Sequence, residues 1–422
     1  MNFEQSIEYI HSLNRFGIKP GMERIAALCQ AVGNPQQKLK FVHVAGTNGK
    51  GSTSTMVAGA LQASGKKTGL FTSPYVSQFL ERICIDGKPC DKQLFADAVT
   101  KLEVVVASLA EKDMQPTEFE VITAAAFMVF EKAGCEVCVL EVGLGGRLDS
   151  TNIIPTPMVS VIASISLDHT AILGGTVGEI AREKCGIIKP DGITVCYPWQ
   201  EQEAFDIIHE TCERMNNRLV IPNVRGITAV ENNIDGVRFE YNSTEYKLSM
   251  SGEYQVYNAV TAIETCRLLG IDGEYIKRGV ESAAVPARME VISSAPLVLL
   301  DGGHNDDGGR AVAKSLEGLL KNKRIIAVMG MMADKNVEAY LSCVAPLCET
   351  VVATTVSGNP RAMSAAELEC IAKKYCVNTS AFSKACNAVE FAKENIADYD
   401  CLLVCGSLYL AGEVRELLQN IF

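Results

Sequence analysis

Phe41-Val42-His43-Val44-Ala45-Gly46-Thr47-Asn48-Gly49-Lys50-Gly51-Ser52-Thr53 reads, in order, as a buried strand, a glycine-rich turn and the start of a helix. The apolar run at 41–45 is the kind of strand that helices cover on both faces. The helix is expected from Ser52 to Ser64, ended by Gly65. Backbone amides of such a turn converge on phosphate oxygens, and Lys50 adds a cation for the β and γ phosphates of a nucleoside triphosphate. Asn48, Gly49, Lys50, Gly51, Ser52 and Thr53 are therefore the candidate phosphate contacts. The spacing departs from the general G-x-x-x-x-G-K-[ST] loop, because Gly46 stands close before Gly49 and Gly51 separates Lys50 from the hydroxyls. A tight turn with an incidental lysine is the weaker reading, since strand, turn and helix follow in the required order.

Working outward, apolar runs at 68–71, 136–141, 158–165 and 193–196 alternate with helical periodicity. Two helix starts are spaced as capping boxes, Thr117 with Glu120 and Thr176 with Glu179. This is the pattern of an α/β fold, a doubly wound, mostly parallel sheet carrying the phosphate loop. Residues 216–250 alternate apolar and polar around Asn232-Asn233-Ile234-Asp235-Gly236, which suggests a small antiparallel hairpin element. After a helix at 257–269 and a proline-bearing stretch, a second series begins, with strands at 297–300, 325–329, 350–354 and 401–405. Helices near 308–319, 336–345, 364–376 and 409–419 separate them, as in a smaller Rossmann-like α/β domain. The expected division is 1–285 and 286–422.

The chain has 422 residues, 48% hydrophobic and 21% charged, which excludes a disordered or collagen-like polymer. The apolar run at 121–129 is closed by Glu131 and Lys132 and is too short to cross a bilayer. The N-terminal Met-Asn-Phe-Glu-Gln has no basic-then-apolar leader, so a cytoplasmic protein is expected. A net charge of -11 disfavours nucleic acid and anionic membranes as partners, while leaving room for a local basic pocket. Most of the 16 cysteines sit singly in apolar runs, as small hydrophobes do in a reduced protein. Cys135 and Cys138 have metal-like spacing without a second pair, and are read as structural.

Three further clusters carry chemistry. In Glu141-Val142-Gly143-Leu144-Gly145-Gly146-Arg147-Leu148, a dinucleotide fingerprint fails because Leu148 stands where its third glycine belongs. Glu141 itself closes an apolar strand, where open α/β sheets bind ligands, and a carboxylate beside a triphosphate suits Mg²⁺. Its competing reading is a solvated strand-end acid. Asp168-His169-Thr170 and Asp301-Gly302-Gly303-His304-Asn305 each follow a strand, so two of only five histidines occupy strand ends. Lys184, late in a helix, reads from the residues alone as a solvated lysine favoured by the helix dipole.

The strings GTNGKGST (46–53), FTSPYVSQFLERI (71–83), TEFEVITAAAF (117–127), LEVGLGGRLDSTN (140–152) and LDHTAILGGTVGEIAREKCGIIKP (167–190) occur in that order. They are followed by GEYQVYNA (252–259), PARME (286–290), DGGHN (301–305) and GSLYLAGEVRE (406–416). Together they resemble the folylpolyglutamate synthase and dihydrofolate synthase family, a branch of the Mur ligases. The resemblance implies an ATP-dependent ligase that joins L-glutamate to a reduced folate through an acyl phosphate, with ATP as co-substrate and two Mg²⁺ ions. It implies that Ser73, Glu141 and His169 hold Mg²⁺, and that Lys184 is carboxylated and helps place the second ion, which reverses the bland reading. Asn258, Arg288 and Asp301 match nucleotide contacts, and His304 matches a histidine near the phosphates at the domain interface. Lys50, His169, Lys184 and His304 are thus the expected catalytic set. Thr117, Glu118, Phe119, Glu120, Leu148, Asp149 and Ser150 match segments lining a pterin site, with the capping box a competing explanation of Thr117 and Glu120. Arg82 is the candidate for an anionic polyglutamate tail. A monomer is expected.

Departures from the family pattern are Ala287 in PARME, and Gly303 and Asp306 after Asp301. Lys19, in Ile18-Lys19-Pro20-Gly21-Met22, stands where enzymes that also act on dihydropteroate resemble an acidic segment, which places that second activity in doubt. Three other classes compete. A cell-wall Mur ligase would not be expected to keep TSPYVSQFLERI, a Rossmann dehydrogenase lacks its third glycine, and a non-catalytic nucleotide binder would not need every metal ligand.

Overall fold

The computed structural model describes residues 1–13, 17 and 20–422. Eight strands form the first sheet: β1 (Phe41–Ala45), β2 (Thr68–Phe71), β3 (Ile83–Ile85), β4 (Lys88–Pro89), β5 (Val137–Glu141), β6 (Val159–Ile162), β7 (Ile193–Cys196) and β8 (Arg218–Val220). Their order is β4-β3-β2-β5-β1-β6-β7-β8, parallel from β2 to β8 and antiparallel at one edge, where β3 pairs with both β2 and β4. Every residue of β1 and β5 is buried. Alternation sorts their side chains between two cores. Phe41, Cys138 and Leu140 join one with Phe71, Phe127 and Phe130, while Val42, Val44, Val137 and Val139 join the other with Val57 and Ile263. A sheet buried on both faces by helices is the doubly wound arrangement expected from the apolar runs.

Local chemistry starts and stops the covering helices where the sequence indicates. Both capping boxes form, and the helix Glu118–Ala133 ends at Gly134 in the left-handed region. The helix Lys50–Ala63 begins two residues before the expected Ser52, because Gly49 at φ 82° turns the chain so that Lys50 is already helical. This helix packs so closely on Gly273–Ser282 that a Cβ on Gly279 would stand 2.1 Å from the Ala60 nitrogen.

The run expected as a strand at 158–165 leaves the sheet after Ile162, and Ser164 instead bridges Asn48. Its carbonyl accepts from the Thr47 and Asn48 amides at 2.6 and 3.2 Å, so the loss of strand is the means of pinning the phosphate loop. The expected hairpin at 216–250 is larger than one hairpin. Residues 218–220 join the main sheet as β8, and β9 (Ile227–Asn233), β10 (Gly236–Tyr241) and β11 (Thr244–Leu248) form a separate antiparallel sheet.

The second sheet holds β12 (Glu290–Ser294), β13 (Leu297–Leu300), β14 (Ile325–Met329), β15 (Thr350–Thr354), β16 (Asn378–Phe382) and β17 (Cys401–Cys405), in the order β12-β13-β17-β14-β15-β16. Only β12 runs antiparallel to its neighbour. Its two faces again carry separate cores. No helix among the described residues is long and apolar enough to cross a membrane.

Candidate active site

The phosphate loop leaves β1 and enters the helix Lys50–Ala63 at an N-terminus with no side-chain cap, so its first amides are free for an anion. Lys50 Nζ donates to the Thr47 carbonyl at 3.1 Å and lies 4.0 Å from Glu141 Oε1. Glu141 is only 5% exposed, which rules out the solvated strand-end reading. Burial pushes its carboxyl up, while Lys50 and then the Ser73 amide, which donates at 3.1 Å, oppose that shift.

Lys184 is buried rather than solvated, and its Nζ donates to the Gly46 carbonyl at 2.8 Å. Burial, reinforced by the charge of Lys50, brings its ammonium down to about 7. The helix dipole was a poor guide here. The 144–149 turn closes over the Lys184 backbone, so closely that a Cβ at Gly146 would lie 3.0 Å from the Lys184 Cα.

His169, at φ 50°, and His304 come from different domains, and the Nε2 atom of each is 3.9 Å from Asp168 Oδ2. Burial brings both rings down to about 4, so both are neutral at pH 7. The His304 ring is oriented by a 3.0 Å Nδ1 contact with the Gly302 carbonyl. Asn305 caps the helix Asp306–Leu319 and also reaches Asn48 of the phosphate loop at 3.3 Å. Asn48 in turn donates to Asp307 at 3.2 Å.

A cleft of about 80 Å³ lies between the two domains, lined by Asn48, Gly49, Tyr254, Asn258, Arg288 and Asp301 among others. Asp301 is held by the Met289 and Gly303 amides at 2.9 and 2.7 Å, and Arg288 faces it. Asn258 is buried and bonded to Gln255 at 2.9 Å. A larger cavity of about 350 Å³ lies at Tyr246, Arg267 and Asp272, against the small antiparallel sheet, and touches none of these groups. The smaller cleft, not the larger cavity, gathers the residues expected to contact a nucleotide.

Arg82 reaches the other side of the loop. Its guanidinium lies 5.1 Å from the Tyr75 ring centroid and faces Glu118, Tyr409 and Glu141. Its buried Nε has no hydrogen-bond partner. An unsatisfied buried donor is costly, and an anionic ligand would relieve that cost. Phe119 packs on Phe71 and against Gly143. Glu120 is taken up by Arg24 at 3.1 Å as well as by the Thr117 cap, and Asp149 accepts from Leu144 and Thr151, so these two carboxylates shape the walls. Ser150 is buried beside Asp149, and Leu148 stays half-buried. Lys19 lies outside the described residues.

Among the described residues no three His, Cys, Asp or Glu side chains form a ready-made metal cage. Mg²⁺ at a nucleotide does not require one, since one or two protein ligands plus phosphate oxygens and water suffice. Glu141, buried beside the phosphate loop, fits that description. The reading of the residues assigned no role to Asp168, Lys335, Asn305 or Asp307. The signal for Lys335 was its place in the loop after β14, at the carboxyl end of a parallel sheet.

A phosphate loop on one α/β domain facing a second α/β domain across a cleft defines a Mur-type ligase, an ATP-dependent enzyme that forms amide bonds. Residues 44–266 match the family described as the Mur ligase middle domain, and residues 287–408 match the Mur ligase glutamate ligase domain. The chain is 34% identical to the folylpolyglutamate synthase of Lacticaseibacillus casei, over 99% of both chains. It is 32% identical to the dihydrofolate synthase/folylpolyglutamate synthase of Bacillus subtilis, again over 99% of each. The structure of Mycobacterium tuberculosis folylpolyglutamate synthase complexed with ADP and AMPPCP superposes with a TM-score of 0.91 at 30% identity, covering 99% of both chains. The chain belongs to the folylpolyglutamate synthase and dihydrofolate synthase family of the Mur ligase superfamily.

Proposed function

We propose that the enzyme joins L-glutamate to a reduced folate, tetrahydrofolate with ATP and L-glutamate giving the glutamylated folate, ADP and phosphate. The observation that carries this is the meeting of the uncapped phosphate loop with Asn305 and Asp307 of the second domain, with His304 beside Asp168, in a chain of this family. A folate carboxylate oxygen attacks the γ-phosphorus, the bond to ADP breaks, and an acyl phosphate forms. The free amine of glutamate then attacks the acyl carbon, its proton goes to solvent, and phosphate leaves. The loop amides and Lys50 stabilise charge on the transferred group. Asn258, Arg288 and Asp301 hold the nucleotide, and Thr117–Glu120, Leu148–Ser150 and Arg82 border the folate and its anionic tail. Mg²⁺, held by Glu141 with Ser73 and His169, would neutralise phosphate oxygens when bound. The histidines stay uncharged at neutral pH and add no competing positive charge. Residues 1–285 and 286–422 act as the two halves of this site, in a cytoplasmic monomer.

Phosphate release from MgATP and L-glutamate, with tetrahydrofolate or dihydropteroate as acceptor, tests the reading. Turnover with tetrahydrofolate alone is expected, consistent with Lys19 in a segment that is acidic in two-activity enzymes. Turnover with both would favour the bifunctional alternative that the Bacillus subtilis relative's name carries. Release with neither sinks the folate reading.

Lys184 is proposed to carry a carbamate that helps place a second Mg²⁺. Only the neutral amine adds CO₂, losing a proton, and an ammonium brought down to about 7 is substantially neutral at physiological pH. With ¹³C-bicarbonate and fixed dissolved CO₂, a carbamate carbon resonance is expected to grow as pH rises through about 7. A resonance that persists in Lys184→Ala, or none in the wild type, rejects this assignment.

A further inference from the structure

Among the described residues, the ammonium that the second domain delivers to Asp168 in the first-domain site is Lys335. Its Nζ lies 2.5 Å from Asp168 Oδ1, and both side chains are about nine-tenths buried, at 9% and 10% exposure. Lys335 leaves β14 in a short loop that is braced before it reaches across. Its amide donates to the Met332 carbonyl at 3.2 Å, and the next residue, Asn336, caps the helix Val337–Val344 and donates to Asp306 at 3.1 Å. The other Asp168 oxygen accepts from Asn305 at 3.2 Å, and Asn305 also bonds Asn48 of the phosphate loop. His169 and His304 flank that same oxygen. Asp168 is thus where two second-domain helix starts, the phosphate loop and both site histidines converge.

A buried ion pair is a weak source of stability, since well-packed apolar residues of similar volume serve a junction as well or better. What it supplies is a fixed direction and distance. We infer that Lys335 and Asp168 are positioning residues, whose ion pair sets the two domains in the arrangement the ligation step needs, with Asn305 as the second strut. The ATP held by the first-domain loop is then aligned with groups carried by the second domain. A misplacement of about 1 Å at a reacting centre costs on the order of 100-fold in rate.

This inference rests on the ligase reading, which wild-type turnover in the same assay tests separately. The experiment compares kcat and KM in Lys335→Met, Lys335→Arg, Asp168→Asn and the double variant Lys335→Met/Asp168→Asn, with ADP affinity by calorimetry and the thermal midpoint of each. Lys335→Met and Asp168→Asn are each expected to lose about 100-fold in kcat. The KM for ATP and the affinity for ADP should stay within about threefold, as for a group that acts on alignment rather than on ground-state binding. The double variant should be no slower than the worse single one, because the partners act as a unit. Lys335→Arg, which keeps the charge, should recover part of the loss. Should Lys335→Met fail to fold, Lys335→Gln takes its place in the cycle. Wild-type kcat in the Lys335 variants, or losses that multiply in the double variant, would overturn the inference. So would a raised KM for ATP with kcat retained, since Lys335 would then be a nucleotide ligand.

Discussion

Lys50→Met is expected to lower kcat by about 10³-fold, the scale of removing a preorganised charge from a transition state in a dry site. Two observations set that size. Lys50 lies at the start of the phosphate-loop helix, held by the Thr47 carbonyl and a loose 4.0 Å ion pair with Glu141, so it can swing to a bound phosphate. It is also the cation that most strongly opposes the burial that pushes the Glu141 carboxyl up. Without it, Glu141 holds a proton more readily and becomes a poorer partner for Mg²⁺. One substitution therefore weakens both the charge on the phosphoryl group and the group proposed to hold the ion. Lys50→Arg is not expected to rescue, because a planar fork does not replace a compact ammonium in a close turn. Steady-state phosphate release measures both variants, and a kcat within tenfold of wild type would contradict the role given to Lys50.

Gly49→Ala is expected to be nearly as damaging, for steric reasons. The backbone there has φ 82°, and a Cβ would meet Asn258 Oδ1 at 2.3 Å and Cγ at 3.1 Å. A left-handed alanine costs roughly 1–2 kcal/mol before any clash is counted. Asn258 is buried and tied to Gln255, so it has little room to retreat. The loop and the nucleotide contact should move together, with ADP affinity falling at least tenfold and the denaturation midpoint dropping. Gly51→Ala is the stability control. Its φ is ordinary and its methyl would stand 3.6 Å from Glu141 Oε2, a normal contact, so its midpoint should stay at wild type. Equal stability in Gly49→Ala and Gly51→Ala would mean that the turn tolerates a side chain and that the strain argument is wrong.

Much of the framework was legible in the residues, for identifiable reasons. The strands flanking the phosphate loop are buried on both faces, so they are apolar but for the buried His43, Glu141 and Ser160, and their helices carry caps that can be read locally. β12 and β16 were missed because they are the two edges of the second sheet, half-exposed, with sequences such as Asn378-Thr379-Ser380-Ala381-Phe382 that form no apolar run. The run at 158–165 was read as longer than β6 because Ala163 and Ile165 continue its apolar pattern, yet the Ser164 carbonyl serves the phosphate loop.

The site divided the same way. Residues contiguous with the loop stood out, as did histidines at strand ends. The bland reading of Lys184 failed because helix position says nothing about which turn folds over a side chain. Glu120 shows the opposite limit, a capping residue whose second partner, Arg24, lies 96 residues away. Asp168 and Lys335 are 167 residues apart, and each alone resembles a solvated charge. Only the approach of the two domains gives that pair meaning.

In the proposed reaction, ATP activates a folate carboxylate as an acyl phosphate. A folate acceptor with both oxygens of its glutamyl γ-carboxylate labelled with ¹⁸O, incubated with MgATP and L-glutamate, tests this step. Transfer of one ¹⁸O atom into the released phosphate for each amide formed is the result expected. Phosphate released without label, while the amide still forms, would show that no carboxylate oxygen attacked phosphorus and would contradict the mechanism.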